Sequence, residues 1–313
     1  MFTHSKSATT RFMILPLLFL LSSVNALASY HMDSLNLGVI SNKAKENIAQ
    51  FQPLISHAAS LLGYRDGHVR ICESYDELQF LIENGEVALA SGSAFSTLML
   101  EQDSKTRIIT KRWKHGMAYY NTVFFSKQES DINQLEDLVG KTIVFERETS
   151  TSGYFLPMVI LLERGFQVQH LSSTNIQPDP DKVGYLFIQD QLKRTDEINM
   201  SAWVFRDLVE ASAFSNDNWN PPHEMPENIR QHIKIIYQTD DIARNFISTS
   251  PLLSQEKQMA IAEILTSLHL SPKGRVILAK LQNSTKFETL SDNDQKVMDK
   301  AREQLKKIKA LAE

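Results

Sequence analysis

The chain has a single cysteine, Cys72, among 313 residues, so no intramolecular disulfide can form and a disulfide-stapled scaffold is excluded. Glycine and proline are scarce, at 11 and 10, with no collagen-like period, no low-complexity stretch and no repeat at solenoid spacing. A basic excess is missing as well. Thirty-three Lys and Arg stand against 37 Asp and Glu, a formal charge of −4, which leaves no positive field to displace counterions from nucleic-acid phosphates; DNA and RNA are not expected partners. The nine histidines show neither H-x-x-x-H nor H-E-x-x-H spacing, so no metal site is expected. No glycine-rich phosphate loop ends in Lys, and Ser93 in Ser91-Gly92-Ser93-Ala94 lacks the second glycine of a nucleophile elbow and reads as a helix cap. With no nucleophile, base or metal set in view, neither an enzyme nor a cofactor is expected.

A membrane-spanning run is also lacking at the amino end. The apolar residues 12–21, interrupted by Pro16, fall well short of the roughly 20 needed to cross a bilayer. His4, Lys6 and Arg11 precede the run and Ala26-Leu27-Ala28 follows it, the pattern of a cleaved export signal over residues 1–28. Cleavage near Ala28 removes Lys6 and Arg11 and takes the charge from −4 to −6. Position 29 is Ser rather than the cysteine a lipoprotein needs, so a free, monomeric periplasmic protein is expected.

What remains is an alternation of strands and helices. Residues 35–40, 69–72 and 87–91 read as short buried strands. Between them, residues 45–62 carry apolar side chains three or four apart and stop at Gly63, and 76–83 form a second helix. The pattern restarts with strands at 119–126 and 142–145, a short helix at 132–138 and an apolar helix at 154–164. Further β/α elements cover 184–187, 202–209 and 210–214, followed by a proline-rich loop at 218–226 and a strand at 233–237. Everything beyond Ser254 reads as helical, ending in an amphipathic stretch at 292–311. The fold class is α/β with two doubly wound units, the second inserted into the first. Lobe 1 is expected over 29–120 plus 238–313 and lobe 2 over 121–237, with two hinge crossings near 117–125 and 231–239. Such a layout places a ligand cleft where carboxyl ends of strands and amino ends of helices converge.

The segment richest in chemistry is Ser150-Thr151-Ser152-Gly153-Tyr154, between a strand and an apolar helix. Its hydroxyls and backbone N–H groups would face the positive end of the helix dipole, an arrangement suited to tetrahedral oxyanions. The same serines serve equally well as helix caps, and Glu146 and Glu148 close by would repel an anion unless they face away. The basic cluster Lys111-Arg112-Trp113-Lys114-His115 reads as a solvated edge, and Trp113, Trp203 and Trp219 as core or lobe-interface residues.

Residues 131–132 and 135–145, followed by Ser150-Thr151-Ser152-Gly153-Tyr154 and Pro157, resemble the signature of the phosphate/phosphite/phosphonate-binding proteins of ABC importers. Residues 37–39, 84–88, 203–204, 209–213, 235–239 and 271–275 extend the resemblance over essentially the whole mature chain. It implies a type II periplasmic-binding fold and a solute-binding function: capture of a small phosphorus oxyanion for an ABC permease. By the same resemblance Ser150, Thr151, Ser152 and Gly153 match the oxyanion cradle, and Tyr120 matches the cleft aromatic of the first crossing strand. Glu210 stands where many members have Asp, a position able to face the cation of an aminoalkylphosphonate. Residues 147–149, Ala243 and the loop 89–95 depart from the family pattern. Two alternatives keep the fold: a sensing protein that presents its bound state to a sensor kinase or diguanylate cyclase, and a binder of sulfonates or other small anions.

Overall fold

The computed structural model describes Met1 and residues 33–192, 197–219, 221–222 and 224–312. The expected export signal, apart from Met1, lies outside the described residues. The strands are β1 Ser34–Ile40, β2 Asp66–Cys72, β3 Leu89–Ser93, β4 Arg107–Arg112, β5 Tyr119–Tyr120, β6 Thr122–Lys127, β7 Thr142–Phe145, β8 Gln167–His170, β9 Lys182–Phe187, β10 Ala211–Ser215, β11 Ile233–Gln238, β12 Ile242–Ala243, β13 Asn245–Thr249 and β14 Phe287–Glu288. The helices are α1 Ala44–Leu61, α2 Tyr75–Glu83, α3 Ala94–Ser104, α4 Leu156–Glu163, α5 Ile188–Leu192, α6 Glu197–Phe205, α7 Glu227–Arg230, α8 Gln255–Ser267, α9 Pro272–Lys280 and α10 Asp292–Ala312.

Two six-stranded sheets result, in the orders β14-β4-β13-β3-β1-β2 and β11-β6-β10-β7-β9-β8. Parallel pairs β1·β2 and β1·β3 build one, and β7·β9, β8·β9 and β7·β10 the other, as the strand-helix alternation implies. Neither sheet is wholly parallel. β13 runs antiparallel to β3 and β4, and β6 antiparallel to β10 and β11, because the strands that leave and re-enter each sheet come from the opposite end. The chain passes from the first sheet to the second through β5 and β6 and returns through β11 and β12, where β12 pairs with β5. The second sheet is buried on both faces, so consecutive side chains of β6 go to different cores. Phe124 packs with Ile143, Phe155 and Met158, while Val123 and Phe125 pack with Met200, Val204 and Phe214.

Helix α10 carries its apolar residues at three- and four-residue spacing. Met298, Ala301, Leu305 and Ile308 are buried in the same core as Phe95 and Leu98 of α3 and Met158 and Val159 of α4. Its polar edge pairs Arg302 with Glu101, Lys309 with Asp103 and Gln304 with Glu163, so the helix ties α3 to α4. Cys72 is buried and unbridged, its thiol pushed up to about 11 by burial. Among the described residues, no helix is long and apolar enough to cross a membrane.

Candidate functional site

The carboxyl ends of β1, β3 and β7 meet at the cleft between the sheets. After β7 the chain turns through residues 146–150 and enters α4 by a wide π-type turn, Thr151–Phe155. Ser150 caps this turn, its Oγ accepting from the Gly153 N–H at 3.0 Å. Thr151, 1% exposed, accepts at Oγ1 from the Phe95 N–H at the start of α3, 2.8 Å away. Thr122 Oγ1 donates to the Ser152 carbonyl at 3.0 Å, and the Tyr120 hydroxyl is close enough to the Thr151 and Ser152 side chains for them to act on its titration. Burial pushes the Tyr120 phenol up to about 12, and the Arg244 guanidinium lies 5.2 Å from its ring centre. Gly153 is the only residue type that fits its place: a Cβ there would lie 2.7 Å from Glu146 Cβ and 2.9 Å from Ser150 Oγ.

The fold therefore brings Ser150, Thr151, Ser152, Gly153 and Tyr120 together, and Ser150 acts as the helix cap that the sequence equally allows. Glu210 is not with them. It stands at the opposite end of the sheet, just before β10, and its Oε2 accepts from the Thr142 N–H at the start of β7 at 2.8 Å. A placement of Glu210 at the cation of a cleft ligand is corrected accordingly.

The open part of the cleft is a cavity of about 390 Å³. From the first sheet it is lined by Ser91, Gly92 and Ser93 at the end of β3, Ser96 of α3, Arg112 at the end of β4 and Lys114 just after it; from the second by Glu146, Arg147, Thr149, Glu197 and Glu224. A further hollow of about 680 Å³ continues from it past Arg147, Glu148 and Gln189.

Arg112 decides the electrostatics. It is 2% exposed and among the described residues hydrogen-bonds only neutral acceptors: Gln282 Oε1 at 2.8 Å, Ser284 Oγ at 3.3 Å and the Leu281 carbonyl at 3.5 Å. Its Nε has no partner, and among the described residues no carboxylate lies within ion-pair distance of it. Burial and the neighbouring Arg244 both work against its charge, which a guanidinium nonetheless keeps. Lys114, half-buried, also lacks an ion pair among the described residues; burial, then Arg244 and Arg112, push its ammonium down to about 8. Arg244 itself is matched by Asp217 at 2.5 Å. Of the basic cluster read as a solvated edge, Arg112 and Lys114 therefore wall the cleft, because β4 is an interior strand that buries Arg112, while Lys111 pairs with Asp294 of α10 at 2.7 Å and is not part of the lining. The apolar lead-in Ile108-Ile109 was the available signal.

Facing these cations is an acidic wall. Glu146 is 8% exposed and pairs through Oε1 with Arg147 Nη1 at 3.1 Å. Burial, then Glu146 and Glu224, push Glu197 up to about 8, so it carries a proton at neutral pH.

Against known protein families, residues 37–295 match the model described as ABC transporter, phosphonate, periplasmic substrate-binding protein. The chain belongs to this family. It is thereby a periplasmic substrate-binding protein, and proteins of this kind bind a small anion and serve an ABC permease. The comparison with curated proteins gave no match. Among solved structures, XAC2383 from Xanthomonas citri bound to ATP is 23% identical with a TM-score of 0.83, over 90% of this chain and 100% of that one. PhnD1 from Prochlorococcus marinus, solved with methylphosphonate, is 14% identical with a TM-score of 0.63, over 88% of this chain and 99% of that one. The aliphatic sulphonate-binding protein SsuA from Escherichia coli is 10% identical with a TM-score of 0.55, over 90% of this chain and 95% of that one. These likenesses establish the type II periplasmic-binding fold.

Proposed function

We propose that this phosphonate-family protein captures a small phosphorus oxyanion in the cleft between its two sheets and delivers it to an ABC permease, without covalent chemistry. The observation that carries the reading is the buried Arg112 on the cavity wall, with Lys114 beside it and, among the described residues, no carboxylate paired to either. A buried charge is costly unless matched, and an anion in the cavity supplies the match. The hydroxyls of Ser91, Ser93 and Ser96 give further donors on the same wall. Ser150, Thr151, Ser152 and Tyr120 sit directly behind Glu146, where they hold the helix start and tie the two halves across the Phe95 N–H. In this reading the halves are the lobes 29–120 plus 238–313 and 121–237, the chain acts as a monomer, and export removes residues 1–28.

The cavity and its continuation exceed the size of methylphosphonate, which favours a second reading within the same chemistry: a larger phosphate ester whose phosphate meets Arg112 while its remainder follows the hollow past Arg147. XAC2383 from Xanthomonas citri, solved with ATP, is a precedent of the same fold.

A thermal-shift screen with phosphate, phosphite, methylphosphonate, aminoalkylphosphonates, phosphate esters, ATP and methanesulfonate tests both. A ligand at 100 times its Kd stabilises the fold by about 2.7 kcal/mol. A shift with the phosphorus compounds supports the proposal; a flat response to all of them rejects it.

A further inference from the structure

The guanidinium of Arg112 is held by the turn that follows α9. Leu281 contributes its carbonyl at 3.5 Å, Gln282 its Oε1 at 2.8 Å and Ser284 its Oγ at 3.3 Å. The turn is locked in register with the strand that carries Arg112. The Trp113 N–H donates to the Lys286 carbonyl and the Thr285 N–H to the Trp113 carbonyl, both at 3.0 Å, and Phe287 of β14 pairs with Arg112 itself. Gln282 and Asn283 are both left-handed, with φ of 51° and 48°. An asparagine tolerates that conformation; a glutamine rarely takes it. The strain thus falls on the residue that both bonds Arg112 and lines the cavity.

We propose that Gln282 is the positioning residue of the anion site: its amide oxygen fixes the Arg112 fork at the cavity wall without cancelling its charge, which is left for the ligand. This rests on the reading of the cleft as an oxyanion site.

The three acceptors around Arg112 carry partial charges, not whole ones. The Leu281 carbonyl lies at the carboxyl end of α9, where the helix dipole is negative and favours a cation without pairing with it. An amide oxygen accepts a hydrogen bond as a carboxylate does, but its group has no net charge. A carboxylate in its place would form an ion pair with the guanidinium, and an entering anion would then have to displace it or share the cation. The neutral acceptor therefore orients the cation and leaves its compensation to the ligand. Neighbouring cations show the contrast: Lys111 is paired with Asp294 at 2.7 Å and Arg244 with Asp217 at 2.5 Å, and neither lines the cavity.

The test compares Gln282→Glu and Gln282→Gly with the wild type on the full mature chain, by calorimetry near neutral pH and by thermal unfolding without ligand. Methylphosphonate, phosphite, phosphate and a phosphate ester are the probes. Gln282→Glu keeps the acceptor and adds a charge, so affinity should fall about 10-fold or more while the ligand-free Tm stays level or rises. Gln282→Gly relieves the left-handed backbone and removes the acceptor, so affinity should fall about 3- to 10-fold. In an Arg112→Met background Gln282→Gly should bring no further loss, as a residue acting through Arg112 requires. A wild-type Kd for Gln282→Glu, a lower ligand-free Tm accompanying its loss of affinity, or additive losses in the double variant overturns the role of Gln282 and leaves oxyanion capture standing. Should Gln282→Glu fail to fold, Gln282→Gly and the double variant decide; should Arg112→Met bind too weakly to measure, Gln282→Glu decides. Absence of wild-type binding to all four probes overturns this proposal together with the reading on which it rests.

Discussion

Arg112→Met separates binding from folding. In the wild type the guanidinium gives three hydrogen bonds to neutral acceptors and has no ion-pair partner among the described residues. Methionine keeps an unbranched apolar stem, removes a buried charge and gives up the guanidinium contact with the Phe51 ring. The loss of hydrogen bonds destabilises, the relief of desolvation stabilises, and Ser284 still donates to the Leu281 carbonyl, so the ligand-free stability should change by no more than about 1 to 2 kcal/mol. Binding has no such compensation. Losing a hydrogen bond from a charged donor to an oxyanion costs about 1.5 to 3 kcal/mol, a loss of about 10- to 150-fold in affinity. Arg112→Lys should fall between, because the charge remains and the planar fork is lost. Calorimetry with methylphosphonate gives the affinities, and thermal unfolding without ligand gives the stability. An unchanged Kd for Arg112→Met refutes the reasoning. A ligand-free destabilisation beyond about 4 kcal/mol would refute it differently, by making Arg112 a structural residue.

Glu197 gives a pH test without ligand. Its carboxyl is raised to about 8, so the folded state keeps a proton that the unfolded chain releases near the ordinary value of about 4.3. The stability this contributes is complete below that value and is lost as pH rises through about 8; Glu197→Gln, always neutral, should flatten the decline of Tm over that range. Gly153→Ala forces a Cβ to 2.7 Å from Glu146 Cβ and should lower stability by about 1 to 3 kcal/mol, read from the urea midpoint. Thr151→Val leaves the buried Phe95 N–H without its acceptor and should cost about 1 to 3 kcal/mol; an unchanged midpoint would show that water replaces the hydroxyl.

The fold was readable where periodicity was strong and turn residues marked the ends. Residues 45–62 announce α1 through one apolar stripe, and 142–145 announce β7 through a short β-branched run before a polar loop. β4 and β13 were missed because their charged and polar residues, Lys111, Arg112, Ser248 and Thr249, are buried inside the first sheet, where tertiary partners rather than composition hold them. The same cause hid the cleft wall: a run of basic residues reads as solvated until the strand that turns it inward is known. The capping motif at Ser150 was legible because its bonds are local, three residues apart. The acidic side, with Glu197 and Glu224 brought to Glu146 from distant segments, has no local signature at all.

The central claim, oxyanion capture by the cleft, meets its most direct test in a calorimetric titration of the mature wild-type protein with methylphosphonate near neutral pH. The account predicts saturable one-to-one binding that Arg112→Met weakens at least about tenfold. No heat of binding with methylphosphonate, phosphite, phosphate or a phosphate ester, from a protein shown to be folded, would contradict it.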